Sequence, residues 1–200
     1  GQAVKRIIRY LVKTRDRGLE FVPNLEEGLD CYVDADFAGN WDPELAGVDP
    51  DTARSRHGFI IFFKGVPLLW KSSLQQEHAL SSTESELIGL SMALKTAIPL
   101  MELLREMHEL GFPVGDREKQ IHCTLFEDNN GALAIAKLPK THPRTKHINM
   151  KYFHWLHWTQ GEGAPFSFHK INTKEQPADM LTKPLILELL VKHSRWLLGW

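Results

Sequence analysis

The sequence has little of what marks secreted, membrane-spanning or strongly basic proteins. Its 200 residues include only two cysteines, Cys31 and Cys123. Both lie in apolar stretches without CxxC spacing, so we expect buried, reduced thiols and no disulfide or thiolate metal site. No uninterrupted apolar run approaches the roughly 20 residues of a membrane-spanning helix. The net charge of -1 means that any contact with nucleic acid must come from a local basic patch.

What is present is the composition of an ordinary globular domain, with 42% hydrophobic and 24% charged residues. A chain of this length can bury a sizeable core. No signal-peptide pattern follows Gly1, and we expect the chain to be a segment of a longer protein. There are no internal repeats and no low-complexity tracts.

Hydrophobic periodicity predicts strands first and then alternating helices and strands. An amphipathic helix is expected over 1–13 and a surface loop over 40–56. The predicted strands are 30–37, 59–63, 68–70, 121–126 and 166–171, the second and third being joined as a hairpin by 64–67. The other predicted helices are 81–110, 132–138, 147–160, one that begins at Pro177, and 185–198. Pro99 should kink or break the longest helix. This order predicts an α/β fold with a mixed sheet and flanking helices.

Four acidic residues occupy positions where a buried or half-buried carboxylate has a cost unless it is paired. They are Asp34 on the first strand, Glu86 on the long helix, Asp128 after the fourth strand and Asp179 in the helix after the fifth. A right-handed crossover would lay the fourth strand parallel to the first, bringing Asp34 and Asp128 together. Clustered carboxylates favour a hard cation such as Mg²⁺ or Mn²⁺. Two such ions would activate a water molecule for hydrolysis of a phosphodiester.

Each of these acids also has a purely structural interpretation. Asp128 is suitably placed to cap the following helix, and Asp179 complements the dipole of its own helix. Thr83 and Glu86 fit a capping box. Judged singly, none of the four is diagnostic.

Glu84 and Glu86 compete for one role, because residues two apart on a helix point in different directions. Glu86 lies beside small residues, where a helix approaches a sheet closely, and Ser81 with Glu84 forms an equally good capping box. We therefore choose Glu86. Asp36 shares a strand face with Asp34 and is assigned, like Glu84, to the surroundings of the site.

Six ordered motifs resemble the ribonuclease H domain of copia-type LTR-retrotransposon polyproteins. They are YVDAD at 32–36, WKSSLQ at 70–75, LSSTESEL at 80–87, EDN at 127–129, RTKHI at 144–148 and ADMLTKPL at 178–185. The stretch VKRIIRYL at 4–11 resembles the connection that joins reverse transcriptase to this domain. The resemblance covers nearly the whole chain.

The resemblance implies an α/β ribonuclease H-like fold, with a five-stranded mixed sheet (three antiparallel strands, then parallel strands) flanked by helices. It implies a metal-dependent endonuclease that hydrolyses the RNA strand of RNA–DNA hybrids to 5′-phosphomonoesters, with two Mg²⁺ or Mn²⁺ as cofactors. The family's catalytic and metal-binding set maps onto Asp34, Glu86, Asp128 and Asp179.

The family's substrate contacts map onto Asn40, Ser81, Ser82 and Asn130. We add Lys140, Arg144 and Lys146, part of a basic run over 137–151 that contains no acid. That run is equally compatible with phosphate contact and with a solvated surface. His154 and His157 have the spacing of a zinc site, but packing of a helix is the favoured interpretation.

One departure from cellular ribonucleases H lies before the last helix of the fold. Those enzymes carry a loop histidine there, whereas 172–176 contains none and His169 lies on the preceding strand. In cellular ribonucleases H the loop histidine helps product release. No residue of this sequence clearly takes that role.

The expected organisation is the end of a reverse transcriptase connection over 1–25, a ribonuclease H domain over 29–185 and an amphipathic helix over 186–200. Expected partners are an RNA–DNA hybrid and the reverse transcriptase domain of the same polyprotein, with no membrane and a monomeric isolated domain. We expect it in the cytoplasmic particle of the element or in the nucleus with it.

Two other functions are compatible with parts of this pattern. One is a DNA-cutting nuclease of the same broad fold, such as an integrase, resolvase or exonuclease; the fourth acid inside ADMLTK at 178–183 argues against an integrase. A non-catalytic connection domain would clamp a hybrid, but such domains typically lose the acidic set.

Overall fold

A mixed five-stranded sheet forms the centre of the computed structural model, which describes residues 1–45, 47–114, 121–138 and 153–199. Its strands are β1 (Leu29–Asp36), β2 (Arg56–Phe63), β3 (Val66–Leu74), β4 (Cys123–Glu127) and β5 (Phe166–Lys170). They lie in the order β3-β2-β1-β4-β5. The first three strands are antiparallel, and β4 is parallel to both β1 and β5. This confirms the predicted fold.

Helices cover both faces of the sheet. They are α1 (Gln2–Lys13), α2 (Ser82–Glu109), α3 (Asn130–Ala136), α4 (Leu156–Thr159), α5 (Asp179–Thr182) and α6 (Leu187–Leu198). Short 3₁₀ turns span Pro50–Ala53, Phe153–Trp155 and Thr173–Glu175. α1 buries none of its residues. Of the helix predicted over 147–160, the part up to 152 lies outside the described residues, and the rest is a 3₁₀ turn followed by α4.

The main hydrophobic core lies between the sheet and α2, α3 and α4. The predicted apolar face of α2 is confirmed, because its five members are fully buried: Leu87, Leu90, Leu94, Ala97 and Met101. The two cysteines are also buried in this core, and both are free thiols, as predicted.

α2 lies close to its predicted bounds of 81–110 and continues through Pro99 without a break. Pro99 was predicted to kink or break the helix, and of these two effects the break does not occur. Pro99 is solvent-exposed, while its neighbours Ala97 and Ile98 are buried, so packing on either side holds the helix together. By length and composition alone α2 could cross a membrane, but 61% of its most apolar window is buried in the core.

The β2–β3 hairpin is tighter than predicted. Only Lys64 and Gly65 form the turn, and both have positive φ, 52° and 74°. Two such residues in a row are typical of a type I′ turn, whose twist matches that of the strands. Val66 and Pro67, expected in the turn, therefore belong to β3.

The second face of the sheet carries a smaller aromatic cluster that docks α5 and α6. Tyr32 stacks on Phe126, with ring centroids 4.7 Å apart. Trp196 of α6 packs on Tyr32 and on Phe62, at 5.1 and 5.3 Å. The C-terminal helix is thus attached to the sheet.

Candidate active site at the carboxyl ends of β1 and β4

The site forms where β1 and β4 separate. Their last paired residues are Tyr32 and Phe126. Asp34 and Asp128 each follow two residues later, so both carboxylates reach the same level of the sheet, as the predicted crossover requires.

The buried amide of Gln176 bridges the two strand ends. Its Nε2 donates to the carbonyl of Val33 at 2.8 Å and to that of Phe126 at 3.4 Å. Because Gln176 precedes α5 by only three residues, this contact also positions the helix that carries Asp179.

A first group of carboxylates consists of Asp34, Asp128 and Asp179, whose oxygens offer ligand atoms within 4.8 Å of one another. Asp34 and Asp179 are buried, at 1% and 2% exposure. The hydroxyl of Thr182 donates to Asp34, and the ammonium of Lys183 lies 3.5 Å from Asp34 and 3.0 Å from Asp179.

The electrostatics of this group reflect burial and like charge. Burial and the neighbouring Asp34 raise the pKa of Asp179 to about 7, although Lys183 opposes them. Burial alone would lower the pKa of Lys183, but Asp34 and Asp179 outweigh it, and the pKa is raised. Lys183 therefore stays charged and partly neutralises the carboxylates.

A second group consists of Glu86, Glu127 and Asp128, again with ligand atoms within 4.8 Å of one another. Burial, followed by the charges of Glu127, Asp34 and Asp128, raises the pKa of Glu86 well above its ordinary value. Burial is also the main cause that raises the pKa of Glu127 to about 8, with Asp128 and Asp34 contributing. Asp128 belongs to both groups and links them.

These pKa values predict how stability depends on pH when divalent ions are chelated. Glu127 and Asp179 bind protons more tightly in the folded protein than in the unfolded chain, so the free energy of unfolding falls as pH rises, until it passes their folded-state pKa values of about 8 and about 7. We expect the melting temperature in EDTA to fall between pH about 6.5 and about 8.5, and to fall less with Mg²⁺ present, because the ion replaces the protons.

Circular dichroism melts at several pH values in that window test this prediction. The window lies above the range in which His57 would matter, since burial lowers its pKa to about 4. A melting temperature in EDTA that stays constant or rises with pH would contradict the prediction.

The structure brings Asp34, Glu86, Asp128 and Asp179 into the two linked groups, and it directs Glu84 elsewhere. The carboxylate of Glu84 accepts from the amide of Leu80 at 2.8 Å, and Ser81 Oγ accepts from the amide of Glu84 at 3.1 Å. Ser81 therefore caps α2, and Glu84 reaches back to the amide one residue before the cap, a variant of the capping box.

Asp36 lies at the end of β1, and a Cβ on Gly39 would collide with its carboxyl group. Burial raises the pKa of Asp36, and Asp34 adds to this, while Lys183 and Arg56 oppose it. Asp36 therefore responds to the charges of the site, but it belongs to neither group of possible ligands among the described residues.

The predicted substrate contacts divide by position. Asn40, Ser81, Ser82 and Asn130 are all solvent-exposed. A Cβ on Gly131 would lie 2.8 Å from Thr83 Oγ1, so the first turns of α2 and α3 touch. Ser82 and Asn130, which are the sequence neighbours of these two contacting residues, therefore lie near each other. Lys140, Arg144 and Lys146 lie outside the described residues.

The histidines singled out by the sequence are placed away from these carboxylates. His169 on β5 contacts Ser167 Oγ at 3.1 Å. His154 and His157 are exposed beside the rings of Trp155 and Trp158, and neither joins a possible metal site within the described part of the chain.

Four residues of the site were missed by sequence reasoning: Glu127, Gln176, Thr182 and Lys183. The spacing of Lys183 from Asp179, four residues apart in one helical turn, was a usable signal. Glu127 shares its strand face with Cys123 and Leu125, which indicated that it points into the core.

Comparisons with known proteins show what the chain is similar to. No protein-family model matches the chain. It is 36% identical, over 96% of its length, to the retrovirus-related Pol polyprotein from transposon TNT 1-94 of Nicotiana tabacum. The chain is homologous to retrovirus-related Pol polyproteins from plant transposons. A second such Pol polyprotein, from transposon RE2 of Arabidopsis thaliana, is 33% identical over 96% of the chain.

The homology confirms the resemblance to a retrotransposon polyprotein. The chain spans 14% and 12% of the two Pol polyproteins, so it corresponds to a small segment of each. Among solved structures, that of LC11-RNase H1 in complex with an RNA/DNA hybrid is similar with a TM-score of 0.43 and 16% identity, covering 81% of this chain and 99% of the other.

Proposed function

We propose that this Pol segment is a ribonuclease H domain that hydrolyses the RNA strand of an RNA–DNA hybrid with two divalent ions. The observation that carries the proposal is the pair of carboxylate groups that share Asp128 where β1 and β4 separate. Homology to Pol polyproteins supports it, since reverse transcription of RNA produces such hybrids.

The residues present fit Mg²⁺ or Mn²⁺ better than softer metals, because every candidate ligand atom is a carboxylate oxygen. Asp34, Asp128 and Asp179 would hold one ion, and Glu86 with Asp128 would hold the other. When bound there, such ions would supply a water molecule activated for attack on phosphorus and stabilisation of the leaving 3′ oxygen; the new P–O bond to water would replace the P–O3′ bond and leave a 5′-phosphate and a 3′-hydroxyl.

The chain's own residues keep the ligands in position. Thr182 orients the carboxylate of Asp34 by donating its hydroxyl to it. The ammonium of Lys183 contacts both Asp34 and Asp179 and holds the two carboxyl groups near each other. Gln176 fixes the approach of α5, so that Asp179 faces the strand ends.

Hybrid recognition relies on groove shape, the 2′-OH and phosphates more than on base sequence. Exposed hydroxyl and amide groups suit that task, and Ser81, Ser82 and Asn130 present such groups where α2 and α3 begin. We propose that these residues and Asn40 contact the two strands. We also propose that the reverse transcriptase domain of the same polyprotein delivers the hybrid.

The test is cleavage of an end-labelled RNA–DNA hybrid, with duplex RNA and duplex DNA as parallel substrates, in Mg²⁺, Mn²⁺ and EDTA. We expect cutting of the RNA strand of the hybrid alone, lost in EDTA, with 5′-phosphate ends.

Two results would overturn the proposal. Hybrid binding without metal-dependent cleavage would identify a connection domain that only clamps its substrate. Comparable cleavage of duplex DNA would identify a different nuclease.

A further inference from the structure

Glu127 is the most deeply buried carboxylate of the site, with an exposed fraction of 0%. It is the last residue of β4, and its side chain lies on the face covered by α2, as do those of Cys123 and Leu125. A glutamate at such a position is costly unless the carboxylate has a compensating partner.

The contacts of Glu127 use only half of the carboxylate. Its Oε1 accepts from the backbone amide of Asn129 at 2.9 Å. Its Oε2 is buried and has no hydrogen-bond partner among the described residues, and the same holds for Oε2 of Glu86. No ion pair between described residues includes either glutamate.

The spacing of these oxygens suits a shared cation. Glu86, Glu127 and Asp128 offer ligand atoms within 4.8 Å of one another. Around an octahedral Mg²⁺, neighbouring ligand oxygens lie about 3 Å apart and opposite ones about 4.2 Å apart. Small side-chain adjustments would therefore bring all three onto one ion.

We propose that Glu127 is a fifth acidic ligand of the site, binding the same divalent ion as Glu86 and Asp128. Each ion then has three carboxylate ligands and shares Asp128 with the other. This inference rests on the proposed two-metal function.

A purely structural role for Glu127 predicts a different effect of substituting this residue. In that case its task would be to accept from the Asn129 amide and so support the turn after β4. Glu127→Gln keeps the acceptor oxygen and the shape but removes the charge, so it separates the two roles.

The experiment is titration with Mn²⁺, with free Mn²⁺ measured by electron paramagnetic resonance, on the wild-type chain and on Glu127→Gln. We expect two ions per wild-type chain and at least about tenfold weaker binding of one of them in the variant. Glu102→Gln is the matched control: it removes the same charge from an exposed position on α2 and should bind as the wild type does.

Two further measurements keep the inference falsifiable if Glu127→Gln is unstable. In EDTA, Glu127→Gln should melt near the wild-type temperature, because glutamine keeps the shape and the oxygen that accepts from the amide of Asn129; weaker ion binding by a variant that melts normally then reports the loss of a ligand and not of the fold. Glu127→Cys places a thiolate at the site and should bind Cd²⁺ at least about tenfold more tightly than the wild type does, relative to Mn²⁺.

Wild-type Mn²⁺ affinity in Glu127→Gln together with unchanged Cd²⁺ preference in Glu127→Cys would overturn the inference. The binding measurements are independent of hybrid cleavage. Cleavage with unaltered metal binding in the variant rejects the role of Glu127 alone, whereas loss of an ion without any wild-type cleavage rejects the proposed function alone.

Discussion

Asp34→Asn should lower cleavage of the RNA–DNA hybrid by about a thousandfold or more while leaving the fold intact. Asp34 is the ligand that β1 contributes, and neither Asp128 nor Asp179 can take over from its position. An asparagine amide is a far weaker ligand for Mg²⁺ than a carboxylate. Single-turnover cleavage at saturating Mg²⁺ measures the effect.

The substitution should be tolerated structurally, for reasons visible in the contacts of Asp34. Asparagine has the same shape, and its side chain can still hydrogen-bond to Thr182. The lost ion pair with Lys183 is offset by relief of repulsion, because Asp34 raises the pKa of both Glu86 and Asp179. A melting temperature near that of the wild type would show that the loss of cleavage is chemical.

Asp30→Asn is the matched control for this variant. Asp30 lies on the same strand and the same face, about 13 Å away at a rise of about 3.3 Å per residue. The same change there should leave cleavage unaltered. Retained activity in Asp34→Asn, or in Asp128→Asn, would reject the two-metal assignment.

Much of the fold was predictable because its elements have strong local signals. The apolar positions of α2 recur at helical spacing, and the β2–β3 hairpin has two runs of apolar residues around a glycine turn. Right-handed crossover then places β4 beside β1, and the level at which Asp34 and Asp128 meet follows from topology alone.

The errors arose where tertiary packing decides. Pro99 does not interrupt α2, because the residues beside it are held in the core. The strand predicted over 121–126 left Glu127 out, but β4 includes it, and strand parity places its side chain under α2 with Cys123 and Leu125.

The partners of Asp34 also escaped prediction. Thr182 and Lys183 are distant in sequence, and their contact with Asp34 exists only because α5 packs across β1 and β2. A helix of only four residues has little sequence signal of its own. Its position is therefore set by the residues of the sheet on which it packs.

Gly58 lies on the sheet directly beneath α5, and substituting it should lower both the stability of the fold and the rate of cleavage. Gly58 pairs with Asp34 across β1 and β2. A Cβ at this position would lie 2.6 Å from Cβ of Leu181 and 3.1 Å from Cγ2 of Thr182. The glycine therefore allows α5 to approach the sheet closely enough for Asp179 to reach Asp34.

Gly58→Val should lower the free energy of unfolding by about 1–3 kcal/mol, the usual cost of overpacking a well-packed contact. Valine is favoured over glycine in a strand, so a loss of stability would come from the collision with α5 and not from strand propensity. Denaturant titration measures it, and Gly58→Ala should give a smaller loss.

Cleavage should fall further than stability suggests. The collision moves α5, and with it Asp179, Thr182 and Lys183, away from Asp34. A misplacement of about 1 Å in such a site can cost about a hundredfold in rate. Gly18→Val, at an exposed glycine with no atom within 4 Å of an added Cβ, should change neither property. Wild-type cleavage in Gly58→Val would mean that α5 need not lie this close to β2, and the role assigned to Asp179 would then fail, because its reach to Asp34 depends on that approach.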